Sequence, residues 1–144
     1  YERFNIMQPP YNLAAPEVET DLLPLCSEQQ VAVTPYSPLA AGFLAGKYTS
    51  DRSQMPHGTR FHIVPGHADI YFSDRNFRVV EKLTAKSAEL GVSMVKLAMA
   101  WAMTNPDVTS VIAGARTTNH IDNAIEAYEE GLDTDLRAEM SAWD

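Results

Sequence analysis

Three short apolar segments, each halted by turn-forming residues, constrain this chain more than any other feature. Phe4–Gln8 stops at Pro9-Pro10, Val31–Thr34 runs into Pro35-Tyr36-Ser37-Pro38, and Val108–Ala113 runs into Gly114. Their apolar character is continuous rather than alternating, which suits strands covered on both faces, as in a parallel sheet.

Helical patterns lie between them. Pro16–Gln29 opens on Pro16 with Glu17 and Glu19 behind it, the bias of a first turn, and places Val18, Leu22, Leu25 and Cys26 on one face. Pro24 inside it predicts a kink or break there. Ser73 is placed to cap a long helix over 74–90 that closes at Gly91, with Phe77, Val80, Leu83 (or Thr84) and Ala88 as its stripe. Ser93 caps the next, over 94–104, which is apolar nearly all round and so expected between neighbours. Thr118 is the expected cap of a helix over 119–130 whose apolar face is Ile121, Ala124, Ile125 and Tyr128. A last helix begins near Asp133-Thr134 and is expected to run to the end of the sequence. Strands alternating with helices argue for an α/β fold with a parallel sheet.

Residues 49–72 stand apart as a long polar loop, and a loop of this length has a job or is mobile. The five-residue spacing of His57, His62 and His67 matches no metal motif, so no metal site is assigned. Against 11 Lys and Arg stand 19 acidic residues, a formal net charge of −8 that argues against a nucleic-acid partner. The longest apolar run, Leu97–Met103, is far short of the roughly 20 residues of a membrane span, so no membrane partner is expected. The opening Tyr1-Glu2-Arg3-Phe4-Asn5 lacks a signal-peptide pattern, and the lone Cys26 forms no internal disulfide; a cytoplasmic setting is expected.

The densest chemical signal runs from Thr34 to Tyr48. A strand ends, two prolines fix its exit, and small residues open the backbone to a ligand. Tyr36 offers a flat face at the carboxyl end of the strand, where α/β folds bind ligands. Ser37, free backbone N–H groups and Lys47 suit phosphate oxygens. A plain strand-to-helix turn with a buried Tyr and a solvated Lys has the same sequence marks. A second signal, Ile112–Thr118, sets Gly114 and Arg116 at a helix entry, which is a natural anion site or simply a capped helix with an exposed Arg. Rossmann, P-loop and nucleophile-elbow glycine motifs are all missing.

Gln8-Pro9-Pro10-Tyr11-Asn12-Leu13, Pro35-Tyr36-Ser37-Pro38-Leu39-Ala40 through Gly42, Gly46-Lys47-Tyr48 and Gly114-Ala115-Arg116-Thr117 together resemble the aldo-keto reductase superfamily. The likeness is greatest to its branch of bacterial reductases and potassium-channel β subunits, and it covers nearly the whole chain. It implies the carboxyl-terminal portion, about strands 6–8 and their helices, of a (β/α)8 TIM barrel. Residues 1–144 would then form a single partial domain, with 49–72 a long loop on the cofactor and substrate side. The resemblance implies NADP(H) extended across the strand ends. On the matching positions, Gln8 would bond the nicotinamide carboxamide and Tyr36 would stack on the nicotinamide ring. Ser37, Leu39, Gly42 and Lys47 would line the pyrophosphate, and Arg60 would reach over the phosphates. Gly114 and Arg116 would meet the adenosine 2′-phosphate, where a planar guanidinium favours NADPH over NADH. His120 stands where Gln is usual. Asn123-Ala124 replace an acidic residue and Asn, so one adenine contact is lost or passes to Asn123.

The family's catalytic Tyr, Lys, Asp and His come from the first half of the barrel, which nothing in this chain matches, so no catalytic residue is assigned. The implied activity is NADPH-dependent reduction of a small aldehyde or ketone to an alcohol by the complete protein, with this segment alone inactive. Two rivals remain: an NADP(H)-binding regulatory subunit with no required turnover, and an inactive, self-associating barrel fragment. A closed barrel takes about 250 residues and eight strands. An open sheet of three strands leaves two unpaired edges, to be covered by a missing amino-terminal half or by self-association.

Overall fold

A computed structural model describes residues 2–143. β1 (Ile6–Met7) and β2 (Ala32–Val33) pair in parallel, Ile6 opposite Ala32 and Met7 opposite Val33. The register continues to a bridge between Pro10 and Tyr36, and Tyr36 bridges in parallel to Ile112 on its other side. The third expected strand is present as extended chain rather than as a regular strand. Thr109 and Ser110 N–H both donate to the Val33 carbonyl, and Ile112 N–H donates to Pro35 O. The Val33 N–H goes to the Thr109 hydroxyl at 3.1 Å instead of to a carbonyl, which interrupts the ladder.

α1 (Leu22–Glu28) follows a 3₁₀ turn at Glu17–Glu19, so the expected single helix breaks before Leu22 and not at Pro24. Pro24 occupies the first turn of α1, where no backbone N–H is owed to the helix. The break also rotates the buried face to Leu23 and Cys26 and leaves Leu25 exposed, against expectation.

Residues 49–72 are not the featureless polar loop their composition suggested. They carry 3₁₀ turns at Arg52–Gln54 and Pro65–His67 and two single-turn helices, α2 (Arg60–Ile63) and α3 (Ala68–Tyr71). The segment folds around aromatic rings. Phe61 is fully buried and stacks on Tyr48 at 4.4 Å, and Phe43 gathers Tyr71, Phe72 and Phe77 around it.

α4 (Asp74–Leu90) is capped by the Ser73 side chain, which accepts from Asn76 N–H, and closes at left-handed Gly91. Its buried face is Asn76, Val79 and Leu83, with Phe77 and Val80 beside it, while Ala88 is exposed and drops out of the expected stripe. α5 (Met94–Met103), capped by Ser93, is buried on all sides over 97–102 and packs against α4 and α6 (Thr118–Glu130). The α6 cap is Thr117 rather than Thr118. The expected apolar face of α6 does not turn into a core: Ala127 packs against α5, whereas Ile121, Ile125 and Tyr128 are exposed, Tyr128 by 75%. α7 (Thr134–Ser141) begins on Asp133, which accepts from Leu136 N–H, and ends at Ser141 rather than running on. The main core lies between sheet and helices, around Leu23, Val33, Val79, Leu83, Leu97 and Trp101. Among the described residues no helix is long and apolar enough to cross a membrane.

Candidate functional site

Because the three extended segments run parallel, the residues that follow them emerge on one side: Gln8 after β1, Tyr36 after β2, Gly114 and Arg116 after the third. Both backbone groups of Tyr36 are pinned to the chain after β1, the N–H donating to Pro9 O at 3.0 Å and the carbonyl accepting from Tyr11 N–H at 3.2 Å. Its side chain is 42% exposed. Gln8 is exposed beside it.

The chain then enters a turn that few sequences tolerate. Ser37, Ala40 and Ala41 hold φ of 59°, 51° and 55°, and Gly42 and Gly46 hold 90° and 70°. Three non-glycine residues in the left-handed region make a strained stretch of backbone, in which the Ala40 and Gly42 N–H groups donate to the Ser37 and Leu39 carbonyls at 2.9 and 2.8 Å. The φ of Gly42 favours glycine, and a Cβ there would lie 3.0 Å from the Lys47 amine. At Gly46 a Cβ would meet Met94 Sδ at 2.8 Å, so the turn is pressed directly onto α5. Ser37, Leu39, Gly42 and Lys47 are therefore brought together immediately behind Tyr36.

The other expected site residues are not drawn into this turn. Arg60 is exposed, and its Nε donates to His67 Nδ1 at 3.3 Å inside the 49–72 segment. The Arg116 N–H donates to His120 Nδ1 at 3.1 Å, so the His120 ring closes the first turn of α6 while the Arg116 side chain stays exposed. Gly114 is exposed and Asn123 half-buried. Two cavities lie elsewhere. One of about 280 Å³ is lined by Val111, Ala113, Ile121, Ile125 and Tyr128, and one of about 200 Å³ by Met55, Phe61 and Pro65 with Arg52 and His62. The expected cofactor surface is an open face at the strand ends. His57 and His62 do meet, ring centroids 4.5 Å apart, but among the described residues no three His, Cys, Asp or Glu side chains are arranged to hold a metal.

Residues 2–144 match the model of the Aldo/keto reductase family. The chain belongs to that family. It is 39% identical over 127 residues to the "Probable voltage-gated potassium channel subunit beta" of Oryza sativa subsp. japonica, covering 86% of this chain and 38% of that protein. It is 28% identical over 148 residues to the "NADH-specific methylglyoxal reductase" of Escherichia coli (strain K12), covering 98% of this chain and 43% of that one. Among solved structures, the glycerol dehydrogenase AKR11B4 from Gluconobacter oxydans superposes with a TM-score of 0.71 at 22% identity, over 94% of this chain and 40% of that chain. The chain thus spans about two-fifths of the length of the relatives it matches. Its fold is the carboxyl-terminal portion of a TIM barrel.

Two side chains of this aldo/keto reductase segment escaped the sequence reading. Asn12 is completely buried; its Nδ2 donates to Ser37 O at 3.0 Å, and its Oδ1 accepts from Ala14 N–H at 3.0 Å. That second bond is an Asx turn, a signal the Asn-Leu-Ala sequence carried. Burial pushes the phenol of Tyr71, at the end of α3, up from the ordinary value; Asn12 opposes the rise, and nearby Tyr36 adds to it. A separate polar knot sits behind the turn. The Tyr11 hydroxyl donates to Glu19 Oε1 at 2.5 Å and accepts from Asn105 Nδ2 at 2.8 Å and from an Arg137 NH2 group at 2.9 Å. Arg137 and the Tyr11 ring both lie on Trp101. Burial, then the bond to Glu19, hold the Tyr11 phenol well above its usual range.

Proposed function

We propose that this segment supplies much of the NADP(H)-binding face of an enzyme that reduces small aldehydes or ketones to alcohols. The observation that carries the reading is the turn from Tyr36 to Lys47, whose left-handed backbone and Lys47 amine seated on Gly42 fit a pyrophosphate. When bound, the cofactor supplies hydride. Tyr36 offers the flat face for its nicotinamide and Gln8 an amide beside that face. Ser37, Leu39, Gly42 and Lys47 receive the phosphates. Arg60 lies outside the turn and would reach the phosphates only if the 49–72 segment closes on them. At the adenosine end Gly114 gives room, Arg116 gives a guanidinium for a 2′-phosphate, and His120 and Asn123 stand where adenine contacts belong. This chain provides no proton donor in the reading, so transfer to the carbonyl oxygen falls to residues outside it.

The apolar edges support an amino-terminal barrel half as the structural partner. Phe4 and Ile6 are exposed along β1, and Ile112, Ile121, Ile125 and Tyr128 at the opposite edge. The single buried thiol, Cys26, suits a cytoplasmic setting.

Cofactor choice is tested by Arg116→Ala in the full-length protein carrying this segment. NADPH should weaken by about 1–3 kcal/mol, the loss of a charged hydrogen bond, while NADH is unchanged. Equal weakening of both refutes the 2′-phosphate role, and the NADH-specific name of one relative makes this the sharpest arm. A second reading, a cofactor-binding regulatory subunit, is favoured by the relative named as a potassium-channel β subunit. Tight cofactor binding with no turnover of any small aldehyde or ketone would select it.

A further inference from the structure

We propose that Tyr11 and Asn105 are positioning residues for Tyr36, forming a clasp that joins the two stretches of chain between which Tyr36 is held. This rests on Tyr36 being the nicotinamide platform. On one side Tyr36 gives its N–H to Pro9 O and takes the Tyr11 N–H on its carbonyl, at 3.0 and 3.2 Å. On the other side it bridges in parallel to Ile112, whose N–H donates to Pro35 O at 2.8 Å. The two flanking stretches also meet each other directly. Asn105, which leads into the third extended segment, donates its Nδ2 to the Tyr11 hydroxyl at 2.8 Å.

Both ends of the clasp are held. A tyrosine hydroxyl has one proton and two lone pairs, and at Tyr11 each has a partner. The proton goes to Glu19 Oε1, while Asn105 Nδ2 and an Arg137 NH2 group donate to the oxygen. Arg137 of α7 also ion-pairs with Glu19 at 2.5 Å, and the Tyr11 ring lies 4.8 Å from that of Trp101. Asn105 is buried, and its Oδ1 and carbonyl accept from Asp107 N–H at 2.9 Å and Val108 N–H at 3.0 Å, which fixes how the third segment starts. A hydroxyl on a completely buried residue, with every bonding position matched, has one place, because moving it strands a buried polar group. The Tyr11 side chain therefore anchors the residue whose N–H holds the Tyr36 carbonyl, and one of its anchors comes from the stretch on the far side of Tyr36. The contacts close a circuit, from Tyr36 to Tyr11 to Asn105, along the third segment to Ile112, and back to Tyr36.

The test compares Tyr36→Ala, Tyr11→Phe and Asn105→Ala in the full-length protein carrying this chain. Each is titrated with NADPH and with 2′-phospho-ADP-ribose, the same molecule without nicotinamide. A residue that only stabilises the fold would move both ligands alike or neither. Tyr11→Phe should weaken NADPH about threefold and Asn105→Ala about tenfold, the range of one or two lost hydrogen bonds, with the nicotinamide-free ligand unaffected. Tyr11→Phe keeps a ring beside Trp101 and decides the matter alone if Asn105→Ala fails to fold. If Tyr36→Ala separates the two ligands and a folded clasp variant does not, the positioning role is overturned and the platform stands. If Tyr36→Ala does not separate them, the platform reading is overturned and this inference with it.

Discussion

The polar knot around Tyr11 makes a quantitative prediction about alkaline stability. Tyr11→Phe removes one buried hydroxyl and leaves its three partners joined, because Asn105 and Arg137 both still reach Glu19 Oε1, at 3.1 and 2.5 Å. Losing a hydroxyl bonded to charged groups costs about 1–3 kcal/mol, and the surviving pairs hold the cost toward the lower end. The pH dependence is more telling. The folded chain favours the neutral phenol, so the unfolded chain gives up its proton first, near the ordinary value of 10.0. Above that pH the folded state binds the extra proton, and stability falls by about 1.4 kcal/mol per pH unit for this one group. Below it the contribution is fully present. The Phe variant carries no such slope.

Urea unfolding of the full-length protein carrying this chain, followed by the fluorescence of Trp101, whose ring lies 4.8 Å from that of Tyr11, measures both effects. Near pH 8 the variant should be less stable by about 1–3 kcal/mol. Near pH 11 the deficit should shrink by roughly 1.4 kcal/mol. The raised phenol of Tyr71 is present in both proteins, so its slope cancels in the difference. A deficit identical at the two pH values would mean that Tyr11 titrates alike folded and unfolded, and the burial argument would be wrong.

Two further outcomes are expected. Phe61→Ala empties the centre of the aromatic cluster, where the ring is fully buried, and should cost about 3–5 kcal/mol. Limited chymotrypsin digestion should then cut first within 49–72. Ile125→Glu tests the open edge: if an amino-terminal half covers α6, the substitution buries an unpaired charge and lowers the melting temperature sharply, whereas on a free surface it changes stability by no more than about 0.5 kcal/mol.

What could be read from sequence was what is local. The caps at Ser73 and Ser93 depend on an oxygen reaching an N–H three residues on, and both form. The turn from Tyr36 to Lys47 was legible because its prolines, small residues and glycine act on their own backbone. The 49–72 segment was not, because its order comes from rings outside it, Phe43, Tyr48 and Phe77, packing on Phe61 and Phe72, and no periodicity announces that packing. The hydrogen bond of Arg60 to His67 could not be read for the same cause: its place depends on how that segment folds. The apolar face of α6 was read correctly as a pattern, but only Ala124 of it packs against a core cluster, while Ile121, Ile125 and Tyr128 line an open cavity with Val111 and Ala113 and stay exposed.

The two faces of the sheet explain why the Tyr36–Lys47 turn can be shaped without a closed barrel interior. Side chains alternate along a strand, so Met7 and Val33 point to one side and Ile6 and Ala32 to the other. Val33 is fully buried under the helices, while Ile6 is 61% exposed. The outer layer is closed and the inner one open, since three strands make only one wall of an interior that eight must fill. Burial alternates on through Thr34, Pro35 and Tyr36, which places Tyr36 at the end of the open wall. Yet everything that restrains the turn behind Tyr36 lies on the closed side or within the chain: Asn12 at Ser37, Tyr71 on Phe43, and Met94 against Gly46. The turn's strain is thus borne by contacts that do not wait for the barrel to close. On the proposed reading, a substrate pocket would be completed by further strands and loops, whereas the turn proposed to receive the dinucleotide is set by residues of this chain.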